Sequence, residues 1–279
     1  MIIDAHAHIF PDRVRKDPAA YGERDPSFRL VYVKGKARMT GAEEHLKAMD
    51  EAGVERAVIC SFPWRDMDLA RESNDYVMDC LHRWPARFIG MCCVNPAAGE
   101  AALKEARRCL EGGMRGLGEL HGEPQGFDPG DLDLFRPLVG LAAEHGVPIM
   151  VHVNEPVGHK YIGKGRVSPY AVYPLITEFP QVDWILPHWG GGLFIYELMP
   201  EVAEACRRVY YDSAASPFLY RPDIYRIAPM VADPSRILYG TDFPLLGYER
   251  TLGDLERAGL EGELKDAVLG GNAARLFRV

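Results

Sequence analysis

The chain opens Met1-Ile2-Ile3-Asp4-Ala5-His6-Ala7-His8, a short apolar run that delivers two histidines one residue apart. In an extended strand, residues two apart point to the same side, so both imidazoles face one way at the strand's end. The same figure returns three times: Val147-Pro148-Ile149-Met150-Val151-His152, Val182-Asp183-Trp184-Ile185-Leu186-Pro187-His188 and Ile237-Leu238-Tyr239-Gly240-Thr241-Asp242. Neutral imidazoles with a later carboxylate suit a zinc-like divalent ion. Chemistry is the expected use of that ion.

Outward from these runs the chain alternates strand and helix. Strand-like segments end near His6, Cys60, Cys93, Leu120, His152, Leu186, Asp212 and Gly240. Eight is the number that closes a (β/α)8 TIM barrel, whose C-terminal strand ends converge at one mouth. A doubly wound open sheet is the competitor, but no glycine-rich fingerprint follows the first strand; His6 and His8 stand there instead. Thr40 and Glu43 read as a capping box, with Ala42, Leu46 and Met49 forming an apolar stripe up to Gly53. Further helices are expected at 70–81, 98–111, 131–145, 169–178, 193–206, 220–232, 261–269 and 271–277, with Asn272 as N-cap of the last. No linker interrupts the order, so 1–279 reads as one domain.

Two segments lack a period. Residues 10–39 carry Arg13, Arg15, Arg24, Arg29, Tyr21 and Tyr32 and leave the same mouth as His6 and His8. A loop of that length is expected to act as a lid or binding element. The segment from Glu155 to Ser168 follows His152 and is a second mouth loop.

Composition bounds the partners. Apolar residues make up 47% of 279 and charged residues 26%, which suits a soluble protein with a sizeable core. A net charge of -8 argues against a nucleic-acid partner, which needs a basic surface. A small-molecule substrate remains. The six cysteines form no CxxC pair and read as buried free thiols in a reducing compartment. No signal-peptide pattern precedes the first strand and no apolar run is long enough to span a bilayer. No membrane partner and a cytoplasmic location are therefore expected.

The candidate ligands follow. His6, His8 and His152 are read as metal ligands, and Asp242 as a ligand that also moves a proton. His188, followed by Trp189-Gly190-Gly191-Gly192, either ligates a second ion or stands free as acid or base. Glu119 either touches the metal or orients a histidine. His121 is a weaker candidate, and Asp4 and Asp212 read as orienting partners or caps. Trp64, Trp189 and Phe243 are candidate apolar walls. Arg29 and its neighbours in the 10–39 loop are candidate clamps for a carboxylate.

With these residues in place, the chain resembles the amidohydrolase superfamily, more narrowly its amidohydrolase-related group of metal-dependent TIM-barrel hydrolases and decarboxylases. The resemblance covers nearly the whole chain. The superfamily's first-strand His-x-His pair falls on His6 and His8, its strand-five and strand-six histidines on His152 and His188, and its strand-eight aspartate on Asp242. Many members carry a carboxylated lysine on strand four; this chain has Glu119 in that region and no lysine there. The resemblance therefore implies one ion, zinc first and manganese also acceptable, held by His6, His8, His152 and Asp242, with Glu119 as a fifth ligand or bridge. It implies first a hydrolase of an amide or lactone that uses metal-activated water, with Asp242 taking the proton. The alternative is a non-oxidative decarboxylase of an aromatic or unsaturated acid, with Asp242 or His188 protonating carbon. A role in binding alone is the third reading. An apolar face on 193–206 is a candidate homodimer contact.

Overall fold

The computed structural model describes residues 1–162 and 164–279. The apolar runs form eight strands: β1 (Ile3–His8), β2 (Arg56–Cys60), β3 (Phe88–Gly90), β4 (Leu117–Leu120), β5 (Ile149–Val151), β6 (Trp184–Leu186), β7 (Val209–Asp212) and β8 (Ile237–Leu238). All pair in parallel with their sequence neighbours, in the runs β1-β2-β3 and β4 to β8. Parallel bridges Cys92–Leu117 and Ala7–Phe243 join the two runs, and the Ala5 amide donates to the Tyr239 carbonyl at 2.8 Å. The fold is a closed (β/α)8 barrel.

Two apolar layers hold it. Ile3, Ala5, Val58, Ile89, Met150, Ile185 and Leu238 fill the barrel below the mouth, and Leu276 and Phe277 of the last helix plug its base. A larger layer lies between strands and helices, with Ala7, Ile59, Leu117, Val151, Leu186 and Tyr211 among its members. Within β1 the inward residues are Ile3 and Ala5, whereas Ala7, and Ile9 just past the strand, belong to the outer layer. The register shifts between Asp4 and Ala7, and this change of phase turns His6 and His8 together toward the mouth.

Several helical expectations are corrected. The helix Ala42–Ala52 is capped by Gly41, with no side-chain cap; Thr40 turns inward, and its carbonyl accepts from the Phe10 amide at 2.9 Å. The aperiodic 10–39 segment is largely helical, in short pieces at Asp12–Lys16, Pro18–Arg24, Pro26–Phe28 and Arg29–Lys34. Asp17 and Asp25 cap two of these, each followed by a proline suited to a first turn. The 193–206 helix is two pieces, Leu193–Leu198 and Pro200–Ala205, because Pro200 restarts the turn. A helix at Tyr248–Ala258 was not expected: its buried face includes Thr251 and Asp254, which blur the apolar stripe. Asn272 does not cap. Its Nδ2 donates to the Pro234 and Ile237 carbonyls, at 2.8 and 2.7 Å, tying the last helix to β8.

Among the described residues no helix is long and apolar enough to cross a membrane.

Candidate metal centre

The strand ends bring His6, His8, Glu119, His152, His188 and Asp242 to one mouth, from β1, β4, β5, β6 and β8. Each arrives by a different local device. Glu119 follows Gly118, whose φ of 130° and close approach to Met150 exclude a side chain; an added Cβ would lie 2.5 Å from the Met150 carbonyl. His188 and Trp189 both adopt left-handed backbone, at φ 58° and 60°, and Gly190, Gly191 and Gly192 continue it. That turn throws the His188 side chain back over the barrel. Two non-glycine residues held left-handed are costly, and such strain concentrates where a side chain must be aimed. Asp242 is left-handed too, at φ 65°, and its amide donates to the His6 carbonyl at 2.9 Å.

Hydrogen bonds set the imidazole tautomers. His6 Nδ1 donates to Asp212 Oδ2 at 2.9 Å, and His8 Nδ1 lies 3.3 Å from the Ser61 carbonyl. Each ring therefore presents Nε2 to the centre, and these two nitrogens are 3.1 Å apart. Two lone pairs that close need a proton or a cation between them. Glu119 Oε2 stands 3.8 and 3.6 Å from them, and Asp242 Oδ1 is 3.3 Å from His8 Nε2. His152 is placed differently: Nδ1 donates to Glu119 Oε1 at 2.7 Å, and Nε2 accepts from Asn154 Nδ2 at 2.7 Å. His152 and His188 also lie with Glu119 close enough to offer one ligand atom each to an ion, their ligand atoms all within 4.8 Å of one another.

The electrostatics ask for a cation. Burial pushes Glu119 and Asp242 up, but His152, His6 and His8 outweigh it at Glu119, holding it well below the usual carboxylate range. The hydrogen bond with His8 and the charges of His6, His8 and His188 bring Asp242 to about 2. Conversely, burial pushes His6 down, yet Asp212 and Glu119 raise it to about 10. His8 is also raised: burial opposes this, and Cys60 and Asp242 overcome it. The carboxylates thus draw positive charge onto the pair of adjacent buried rings. A divalent ion with nitrogen and oxygen ligands fits in place of that charge.

Other predicted residues fall elsewhere. Trp64 is buried behind the mouth, stacked on Phe28 at 4.7 Å, and Phe62 forms the wall in its stead. Trp189 is buried with its Nε1 donating to Ser216 Oγ at 2.6 Å. Phe243 packs against both His45 and Tyr248. Arg29 is exposed on the outer surface of the 10–39 segment, and Arg38 is the arginine of that segment on the cavity wall. Arg15 and Arg24 are occupied by acids of their own surface.

Two residues escaped the sequence reading. Cys60, expected as an inert buried thiol, ends β2 with its Sγ 3.4 Å from His8 Nδ1. Asn154 links His152 to the following loop, its Oδ1 accepting from the Gly165 amide at 2.7 Å. Its position two residues after His152 was the available signal. His121 stacks on His152 with centroids 3.8 Å apart. Asp212 and Asp4 do act as orienting partners: Asp4 accepts from Thr241 Oγ1 at 2.6 Å, pinning β1 to the end of β8.

Above the ligands lies a cavity of about 480 Å³. His8, Glu119, His121, His152, His188 and Asp242 form its floor, and Tyr32, Phe62, Ala215 and Pro244 its middle.

A parallel barrel with imidazoles and carboxylates at its C-terminal mouth defines a metal-dependent barrel enzyme. The chain belongs to the amidohydrolase family, whose profile matches residues 3–279. A curated relative, the γ-resorcylate decarboxylase of Polaromonas sp. (strain JS666 / ATCC BAA-500), is 20% identical over 290 aligned residues, covering 85% of this chain and 87% of the relative. Among solved structures, 5-carboxyvanillate decarboxylase from Sphingomonas paucimobilis superposes with a TM-score of 0.82 at 19% identity, covering 100% of this chain and 99% of that one. A dihydroxybenzoic acid decarboxylase from Polaromonas sp. JS666, with bound manganese and 2-nitroresorcinol, gives 0.73 at 17% identity, covering 99% and 96%.

Proposed function

We propose that this chain catalyses the non-oxidative decarboxylation of a small aromatic or unsaturated carboxylic acid, with a divalent ion, zinc or manganese, at the mouth. One observation on the chain carries the reading: a proton carrier, His188, stands beside a set of metal donors under largely apolar walls. His188 Nδ1 donates to the Ala214 carbonyl at 3.0 Å, so its exchangeable proton belongs on Nε2, on the cavity side. That the relatives matched along most of the chain are decarboxylases supports the same choice.

His6, His8 and Asp242 would hold the ion, with Glu119 and His152 at its edge. When bound, the ion supplies positive charge that holds anionic oxygens of the substrate. The chain's own residues do the rest. Decarboxylation needs one proton delivered to the carbon bearing the carboxylate. The C–C electron pair then returns to the ring or alkene as CO2 leaves, and the product keeps the proton. His188 carries that proton. Asp242, held low by the hydrogen bond with His8 and the charges of His6, His8 and His188, is an anionic ligand for the ion. Phe62, Tyr32 and Pro244 exclude water and flank a planar substrate, and Arg38 adds positive charge for an acid.

Hydrolysis, the first expectation from sequence, has less support. The three relatives above are decarboxylases by name. The test is a screen of zinc- and manganese-loaded protein against hydroxybenzoates, lactones and N-acyl compounds, with CO2 and acid products both followed. Metal-dependent CO2 release from a hydroxybenzoate is the expected result. Acid release without CO2 overturns the proposal in favour of hydrolysis.

A further inference from the structure

The cavity continues past the space a single substituted ring needs. Its 480 Å³ lies within the range of about 300–1,000 Å³ that buries drug-sized ligands. Its character also changes with depth. The floor is polar and nearly closed to solvent, with Glu119 4%, His188 5% and His8 8% exposed. The rim is apolar and open: Phe218 is 42%, Leu245 49% and Ile162 60% exposed, with Val31 and Leu219 completing the wall.

These rim residues come from four separate segments, the Arg29–Lys34 turn and the loops after β5, β7 and β8. Scattered exposed apolar side chains are ordinary; several converging from distant segments on one cavity mouth mark a binding surface. Phe218 is also held in place. The Arg250 guanidinium lies 4.7 Å from its ring centroid, and Arg250 donates to the Pro217 carbonyl at 3.2 Å. These contacts favour the exposed position of the ring.

We infer that the rim formed by Val31, Phe218, Leu219 and Leu245 is a subsite for an apolar substituent, an alkyl chain or second ring, carried by the substrate acid on the side remote from its carboxylate. The carboxylate end meets the polar floor, and the substituent covers the rim. Unsubstituted hydroxybenzoates fill only the inner part. The choice of acid rests on the decarboxylase reading; the apolar subsite rests on the cavity itself.

The test uses metal-loaded protein and a series of 2,6-dihydroxybenzoates bearing a 4-alkyl group from methyl to pentyl. Both CO2 release and equilibrium binding are measured for each. The expected result is that kcat/KM and affinity rise about fourfold per methylene, in keeping with the burial of one CH2. In Phe218→Ser and Leu245→Ser the slope of log affinity against chain length flattens. A general folding defect lowers every member alike and keeps the slope. CO2 release with a flat or falling dependence on chain length overturns the subsite and leaves the decarboxylase. Absence of CO2 from every member overturns the decarboxylase, and the binding slope, with its loss in the two variants, still decides the subsite.

Discussion

In the proposed reaction His188 moves the proton and Asp242 holds the ion, and two substitutions separate these roles. His188→Gln is expected to lower kcat by about 10²–10⁴-fold while metal content, read by elemental analysis, stays at the wild-type level. Asp242→Asn is expected to lower both, because it removes a ligand charge. Loss of the ion in the first variant would make His188 a ligand instead. A third residue reports on stability. His45 is buried, with Nε2 2.7 Å from the Tyr248 hydroxyl, and burial, helped by Arg87, lowers it to about 3. Its ordinary value is 6.5, so between these values the unfolded chain binds the proton and the folded one does not. The stabilisation is whole above pH 6.5 and falls away as pH drops toward 3, by about 1.4 kcal/mol per pH unit. In denaturant titrations His45→Phe should show a shallower loss over that window; an unchanged slope sinks the assignment.

Elements aim these side chains, and their partners are as telling as the ligands. Asp212 at the end of β7 fixes His6 through Nδ1 and also accepts from the Ala214 amide at 2.8 Å. Asp212→Asn should cost about 10–100-fold in metal affinity, measured by chelator competition, with a smaller effect on folding. A contrasting case lies away from the mouth. Glu197 receives Arg236 at 2.6 and 3.1 Å and the Tyr211 hydroxyl at 2.8 Å, all buried. Glu197→Ala leaves a buried guanidinium without its partner and should destabilise by about 3–5 kcal/mol, with metal affinity retained. At this scale sequence reading served strands better than helices. Continuous apolar runs such as Ala57-Val58-Ile59 mark buried strands, whereas Tyr248–Ala258 hid behind buried Thr251 and Asp254. The 10–39 segment gave no helical period because its helices last one or two turns, too short for a stripe to repeat.

The whole molecule couples the ion to folding. A ligand that binds only the folded barrel stabilises it, by about 2.7 kcal/mol at a hundredfold excess over Kd, so chelation should lower Tm and metal restore it. The ion also competes with protons. Without it His6 holds its proton up to about 10, and that proton must leave on metal binding. Apparent metal affinity should therefore rise with pH through neutrality; an affinity independent of pH from 6 to 9 contradicts the neutral-imidazole centre.

What the amino-acid sequence by itself determined is the count of eight strands and the placement of His6, His8, Glu119, His152, His188 and Asp242 at their ends. Both follow from local rules, since an apolar run makes a buried strand and a barrel gathers strand ends at one mouth. Only the tertiary structure decided where those side chains point and what faces them. The phase change within β1, the left-handed turn at His188 and Trp189, and Asn154 on the far nitrogen of His152 depend on backbone angles and neighbours distant in sequence. The walls were decided the same way: Phe62 and Arg38 line the cavity while Trp64 and Arg29 do not, because packing between separate loops selects among residues of like chemistry.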